Sequence, residues 1–238
     1  MMKIAILGYG KMGKVIEEIA LQRGHSVTLK VNRENLYFDK RLLENCDAAI
    51  EFSSPESAVD NINKCFDANV PVIVGTTGWY DDFNAVQERC KAENRGLLYA
   101  TNFSVGVNIF YEINRKLAAL MDANNQYEVE VEEIHHTQKL DAPSGTAISI
   151  AEGIIDSLSR KLSWRNDTNV SENELAIESK RIEDVPGTHI VKYESDIDIV
   201  EIKHEAKNRK GFAFGAVLAA EYMNDKKGVF TMKDVLSL

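Results

Sequence analysis

Between Glu133 and Ala147 the chain crowds together groups that move protons and groups that hold anions. The stretch reads Glu-Ile-His-His-Thr-Gln-Lys, then Leu, then Asp-Ala-Pro-Ser-Gly-Thr-Ala. His135 and His136 titrate nearest neutral pH, so either can act as general acid or base. Lys139 adds a second proton donor that also neutralises anions. Ser144, Gly145 and Thr146 stand where a helix begins, and the hydroxyls and backbone N–H groups of such a start suit a carboxylate. Pro143 fixes the loop before them. Taken singly, each residue has an ordinary explanation as a surface histidine, a solvated lysine or a helix cap. Their combination between His135 and Thr146 argues for one site. Successive strand residues face opposite ways, so both histidines serve one ligand only if the strand ends between them. The spacing His-His-x-x-Lys is not that of a zinc protease, and Ser144 is not on a Gly-x-Ser-x-Gly elbow. Neither a metal nor acyl transfer is expected.

These groups need a scaffold and a partner reagent, and the N-terminal residues offer one. Lys3 to Leu7 reads as a buried strand, followed by Gly8-Tyr9-Gly10-Lys11-Met12-Gly13 and a helix from Lys11 to Arg23. A second strand, Ser26 to Val31, completes a dinucleotide-binding unit. Gly8 makes the tight turn, Gly10 admits a pyrophosphate, and Gly13 lets the helix pack on the sheet. The fingerprint expects an acid about 20 residues on to hold the ribose 2′-hydroxyl. Here Asn32 and Arg33 follow the second strand, a pattern that admits a 2′-phosphate. Glu34 weakens that inference, and a merely solvated Arg33 is nearly as good a reading. NADPH is therefore the expected cofactor, with NADH used alongside it or instead.

Further strands follow at Ala48 to Phe52, Val70 to Val74 and Leu97 to Ala100, with helices opening at Pro55, behind a Ser54 cap, and spanning Phe83 to Asn94. The strand ends carry Phe52, Gly75-Thr76-Thr77 and Ala100-Thr101-Asn102-Phe103, positions where open parallel sheets bind ligands. The pattern then changes. A helix from Phe110 to Met121 precedes the alternating strand Tyr127 to His136, with Tyr127, Val129 and Val131 on one face and Glu128, Glu130 and Glu132 on the other. A helix from Thr146 to Leu162, a polar loop from Trp164 to Glu174, and strands Thr188 to Tyr193 and Ile197 to His204 follow. A basic loop from Lys207 to Gly211, a helix from Phe214 to Met223 and a closing helix from Phe230 to Leu238 end the chain.

The expected fold is α/β, a Rossmann-type nucleotide-binding domain formed by 1–104 plus 211–238, with an inserted α+β domain at 105–210 for substrate and oligomerisation. The net charge of −9 argues against nucleic acid, which wants a basic surface. No run approaches the ~18 apolar residues of a bilayer span. Met1-Met2-Lys3 leads into a strand rather than a signal peptide, so a cytoplasmic protein without a membrane partner is expected. Three widely spaced cysteines suit buried thiols better than a disulfide or zinc framework.

At this point the sequence resembles one family, the dihydrodipicolinate reductases, also called 4-hydroxy-tetrahydrodipicolinate reductases, of lysine biosynthesis. The matching blocks are Gly8 to Gly13, Gly75 to Gly78, Asn102 to Asn108, and above all Glu133 to Ala147. Gly187-Thr188-His189 and Arg209 to Val217 match as well. The resemblance implies that His135 is the general acid/base and Lys139 a second proton donor. It implies that His136, Gly145 and Thr146 bind the substrate carboxylate, with Arg209 a basic residue near the substrate. It also implies a dicarboxylate substrate and a homotetramer. The chain departs from the family pattern in its first glycine loop, at Thr137-Gln138 and at Asn32, where an acid is usual; only the last bears on cofactor preference. A dehydrogenase for another amino or keto acid, and a non-catalytic NAD(P) sensor, remain as alternatives.

Overall fold

The computed structural model describes residues 1–35 and 37–238. Its elements run β1 (Lys3–Leu7), α1 (Lys11–Gln22), β2 (Ser26–Val31), β3 (Ala48–Glu51), α2 (Pro55–Asp67), β4 (Val72–Val74), α3 (Phe83–Ala92), β5 (Gly96–Tyr99) and α4 (Val105–Met121). They continue with β6 (Glu128–His135), α5 (Gly145–Ile155), β7 (Ser163–Arg165), β8 (Glu174–Arg181), β9 (Thr188–Glu194), β10 (Ile199–Glu205), α6 (Lys210–Tyr222), β11 (Gly228–Phe230) and α7 (Met232–Leu236). Contacts divide the chain into two compact units, residues 1–105 with 209–238, and residues 106–208.

The first unit is built on a six-stranded sheet in the order β11-β5-β4-β3-β1-β2, every pair parallel. Parallel strands need helical crossovers, which cover both faces and explain why these strands are apolar on both sides. In β1, Ile4 and Ile6 enter a core with α1 and α6, while Ala5 and Leu7 enter a second core with α2. The chain leaves β1 towards β2 on one side and returns to β3 on the other. That reversal opens a crevice at the carboxyl ends of the three strands.

The second unit carries a five-stranded mixed sheet, β10-β9-β6-β8-β7. β6 pairs parallel with β8 and antiparallel with β9. One face buries Val129, Val131, Leu175, Ile177, Val191 and Tyr193 against α4 and α5. The other face is laced with ion pairs, such as Lys192 with Glu130 and Glu194, each at 2.7 Å.

Several elements differ from the sequence expectation. The helix expected from Thr146 to Leu162 ends at Ile155, and Ser163–Arg165 is a strand where a loop was expected. β8 was missed because its burial alternates only at its start and five of its eight residues are polar or charged. α4 begins at Val105 rather than Phe110, and α6 at Lys210 rather than Phe214. The closing helix is shorter, because Gly228–Phe230 pairs with β5 as a sixth parallel strand. Ser54 occupies the cap position of α2 but its side chain makes no capping bond.

Candidate functional site

In the first unit the glycine loop hangs between β1 and α1. Gly8 and Tyr9 donate their backbone N–H groups to the Val31 carbonyl, at 3.0 and 2.7 Å. Gly8 has φ of +106°, and a Cβ there would stand 2.1 Å from the Phe52 carbonyl oxygen, so no other residue fits without moving the backbone just after β3. A Cβ on Gly13 would meet the Gly8 carbonyl oxygen at 2.6 Å, so the helix lies hard against the loop. Gly10 opposes nothing within 4 Å. It opens onto a cavity of about 680 Å³.

Gly8, Tyr9, Gly10, Asn32, Arg33 and Phe52 all line this cavity. Lys11, Met12 and Gly13 form the first turn of α1. Gly75, Thr76 and Thr77 follow β4, and Ala100 to Phe103 follow β5. Phe52 links these groups to the cavity. Its ring lies where a Gly75 Cβ would come within 2.2 Å, and its centroid is 5.6 Å from that of Phe103. Thr76 Oγ1 accepts from the Ser53 N–H at 2.8 Å. Asn102 Oδ1 accepts from the Ser104 N–H at 2.8 Å. The sequence reading missed Ser53, Ser57 and Asn61, which also line the cavity. The four-residue spacing of Ser57 and Asn61 on one face of α2 was the available signal.

Asn32 Oδ1 accepts from the Glu34 and Asn35 N–H groups, at 2.8 and 3.3 Å, so this side chain shapes the turn after β2. Arg33 is exposed on the cavity wall and has no ion pair among the described residues. Beneath the wall, Glu51 is fully buried and accepts from Ser53 and Asn61, and burial pushes its carboxyl up. An open glycine turn, a helix N-terminus and a crevice at strand ends fit a dinucleotide. The free arginine fits NADPH as well as NADH.

The second unit places the Glu133 to Ala147 stretch as the end of β6, a loop and the start of α5. The buried face of β6 that began with Val129 and Val131 continues through Glu133 and His135. His135 is therefore the inward histidine, 8% exposed, and His136 lies just past the strand end. Glu133 is 0% exposed. Its Oε1 accepts from the Ser144 N–H at 3.0 Å, the Ser179 hydroxyl at 2.8 Å and the Arg181 guanidinium at 3.2 Å. Its Oε2 lies 3.2 Å from His135 Nδ1 and 3.9 Å from His189 Nε2. Burial pushes the Glu133 carboxyl up, but its contacts with His135, Ser144 and Ser179 outweigh this and hold it well below the usual range.

Ser144 caps α5, its Oγ accepting from the Ala147 N–H at 3.2 Å and lying 3.3 Å from His189 Nε2. Gly145 is exposed, with open space where a Cβ would be, and Thr146 follows it in the first turn. Lys139 donates to both oxygens of Asp141 at 2.8 Å, which holds that carboxyl below its usual range. Arg181 ties this loop down by donating to the Asp141 carbonyl at 2.6 Å. His189 packs edge-on to His135 with centroids 5.2 Å apart, and burial, then His135, push its imidazole down to about 3. Arg209 lies in the first unit, exposed, as the residue before α6.

Sequence reasoning missed Arg181, and it used His189 only as part of a matching block. The donor atoms of Glu133, His135 and His189 lie within 4.8 Å of one another, but the carboxylate charge is already met by Arg181. The arrangement sets a buried carboxylate between two histidines and the first turn of α5.

Comparisons with known proteins agree along the whole chain. Residues 2–103 match the family described as dihydrodipicolinate reductase, N-terminus, and residues 106–236 match its C-terminus. A 4-hydroxy-tetrahydrodipicolinate reductase of Christiangramia forsetii is 52% identical over 99% of this chain and 98% of its own length. One from Neisseria meningitidis serogroup A is 34% identical over 100% and 98%. The solved structure of a dipicolinate-bound dihydrodipicolinate reductase from Paenisporosarcina sp. TG-14 superposes with a TM-score of 0.78, at 22% identity over 97% of each chain, and shows the same fold. With both halves of the family matched and close relatives covered from end to end, this chain belongs to the dihydrodipicolinate reductase family.

Proposed function

We propose that this chain is a 4-hydroxy-tetrahydrodipicolinate reductase in which His135 and Lys139 manage protons beside a carboxylate-holding turn. It reduces (2S,4S)-4-hydroxy-2,3,4,5-tetrahydrodipicolinate to tetrahydrodipicolinate with loss of water, a step of lysine and diaminopimelate biosynthesis. The observation that carries the reading is the Glu133 carboxylate, which touches both His135 and the Ser144 N–H. One buried group thereby fixes the proton donor and the anion-binding turn a few ångströms apart.

NADPH or NADH, when bound, supplies the hydride that reduces the ring at C4. Gly8, Gly10 and the first turn of α1 would hold its pyrophosphate, with Asn32 and Arg33 at the ribose and Phe52, Thr76, Thr77 and Asn102 towards the nicotinamide. The chain's other residues act on the substrate. Ser144, Gly145, Thr146 and His136 receive a carboxylate; Arg209 is assigned to the substrate on resemblance alone. Lys139 offsets negative charge, at present shared with Asp141. His135 or Lys139 delivers the proton that completes the reduction. Positive groups and N–H dipoles at the site favour the electron-rich transition state.

We assign self-association, as a homotetramer, to the second unit. Among the described residues its edge strand β10 pairs on one side only, with Ile199 55% exposed and Ile197, in the turn just before it, 84% exposed, features that a partner copy would cover. Among the described residues no helix is long and apolar enough to cross a membrane. A cytoplasmic site of action is part of the same proposal.

The deciding assay is oxidation of NAD(P)H on supplying the freshly made product of the preceding synthase. Turnover on that substrate is the expected result. Activity only on another amino or keto acid, or tight NADPH binding with no turnover, overturns the assignment. Light scattering on the eluting protein reads the oligomer.

A further inference from the structure

We propose that Glu133 is a positioning residue that serves both halves of the site, aiming His135 with one carboxylate oxygen and holding the Ser144 turn with the other. The inference rests on His135 being the proton donor.

Burial is the first argument. Glu133 follows Val129 and Val131 along one face of β6, into a position where an apolar side chain would serve the core better. A fully buried carboxylate is costly unless paired and hydrogen-bonded. Stability alone is a poor reason to place one there, and function is a better one.

The two oxygens divide the work. Oε1 is saturated by Ser144, Ser179 and Arg181. Oε2 receives no well-aligned hydrogen bond, yet it is sealed from solvent and lies 3.2 Å from His135 Nδ1. His189 Nε2 also approaches it, at 3.9 Å. The imidazole of His135 therefore turns its Nδ1 edge, buried and with no other partner among the described residues, towards the carboxylate. Its Nε2 edge faces Gly187, where a Cβ would stand 3.0 Å away, so the missing side chain leaves that nitrogen room. An ionised carboxylate favours a proton on Nδ1, which fixes the tautomer and makes Nε2 the working nitrogen.

The proton balance follows. As imidazolium, His135 carries protons on both nitrogens. It gives the Nε2 proton to the substrate and remains neutral with Nδ1–H directed at Glu133. The carboxylate stays ionised throughout and takes no proton. Other charged or titratable groups facing His135 are few. Arg181, its register partner on β8, is paired to Glu133. His189 on β9, packed edge-on, stays neutral; burial is the main reason. His204 is the register partner of His189 on β10 and is likewise depressed by burial. Lys139, on the loop, is paired with Asp141.

Two measurements test this. In the wild-type protein, ¹⁵N-histidine NMR, with His135→Asn as the assignment control, is expected to show neutral His135 as the Nδ1–H tautomer. An Nε2–H tautomer overturns the proposal whether or not the reductase assignment stands. In Glu133→Gln, kcat is expected to fall by at least ~10-fold. KM for the substrate is expected to rise as the Ser144 turn loosens. A folded Glu133→Gln enzyme with wild-type kcat and KM also overturns it. If that variant does not fold, the wild-type tautomer decides alone.

Discussion

The guanidinium of Arg181, on β8, donates to the backbone carbonyl of Asp141 across forty residues of sequence, at 2.6 Å. The same group reaches Glu133 Oε1 at 3.2 Å. Arg181 thus staples the Lys139–Asp141 loop to the buried carboxylate of β6. Removing it leaves that carboxylate short of one charged partner, a loss of about 1.5–3 kcal/mol. Arg181→Ala is expected to lower the thermal midpoint and raise KM for the substrate. Arg181→Lys should not restore either, since an ammonium cannot reach both acceptors as a planar fork does. Calorimetry and steady-state kinetics on both variants check this.

His135→Ala and Lys139→Ala should each lower kcat by about 10²–10⁴-fold, the usual worth of a placed acid or base. Cofactor binding, followed by fluorescence, should be unchanged in both, because neither residue lies in the unit that carries the glycine loop. Wild-type turnover in either variant removes that residue from the mechanism.

Gly8→Ala and Gly10→Ala should separate stability from binding. At Gly8 a methyl would collide with the backbone just after β3 at a strained φ, so Gly8→Ala is expected to lose stability. At Gly10 there is open space on the cavity side, so Gly10→Ala should fold normally and bind NADPH more weakly. Thermal melts with and without NADPH distinguish the two.

In the proposed cofactor site, Arg33 is the group that would meet the 2′-phosphate of NADPH. A charge-assisted bond is worth about 1.5–3 kcal/mol, or roughly 10- to 100-fold in affinity. Arg33→Ala should lower kcat/KM for NADPH by up to that factor and leave NADH untouched. An unchanged ratio shows that Arg33 is only solvated.

Stability should fall on acidification in two stages. The native pKa of His189 is depressed from 6.5 to about 3, chiefly by burial. Below about pH 6.5 the unfolded chain binds a proton there that the native protein does not, at a cost of about 1.4 kcal/mol per pH unit. Glu133 has the same sign, since its native carboxyl is also depressed, and it adds to the loss below about pH 4.3. Wild-type Tm should therefore drop between pH 7 and 5. His189→Gln should flatten that slope, and an identical slope in the variant refutes the assignment.

Some of this molecule is local and could be read directly. The β1, glycine loop and α1 are specified within a few residues, because a tight turn, a phosphate approach and a close helix packing each exclude side chains at one position. The same holds for the turn at Ser144, where cap and helix start are neighbours. The alternation along β6 placed Val129 and Val131 inside, and period two carries that face on to Glu133 and His135. Which histidine faced inward followed only when the strand was seen to end at His135.

Tertiary structure decided the rest. Glu133 meets His189 because β6 and β9 pair antiparallel in that register, and His135 lies level with Arg181 because β6 and β8 pair in parallel. β8 announced itself weakly, and β11 was missed, its last residue read as the start of a helix, because short or polar strands gain their stability from neighbours rather than from their own pattern. The sequence by itself determined the fold, and it named the groups proposed to carry the chemistry. Only strand pairing brought His189 and Arg181 to the Glu133 carboxylate, since register is a long-range property that no local window contains.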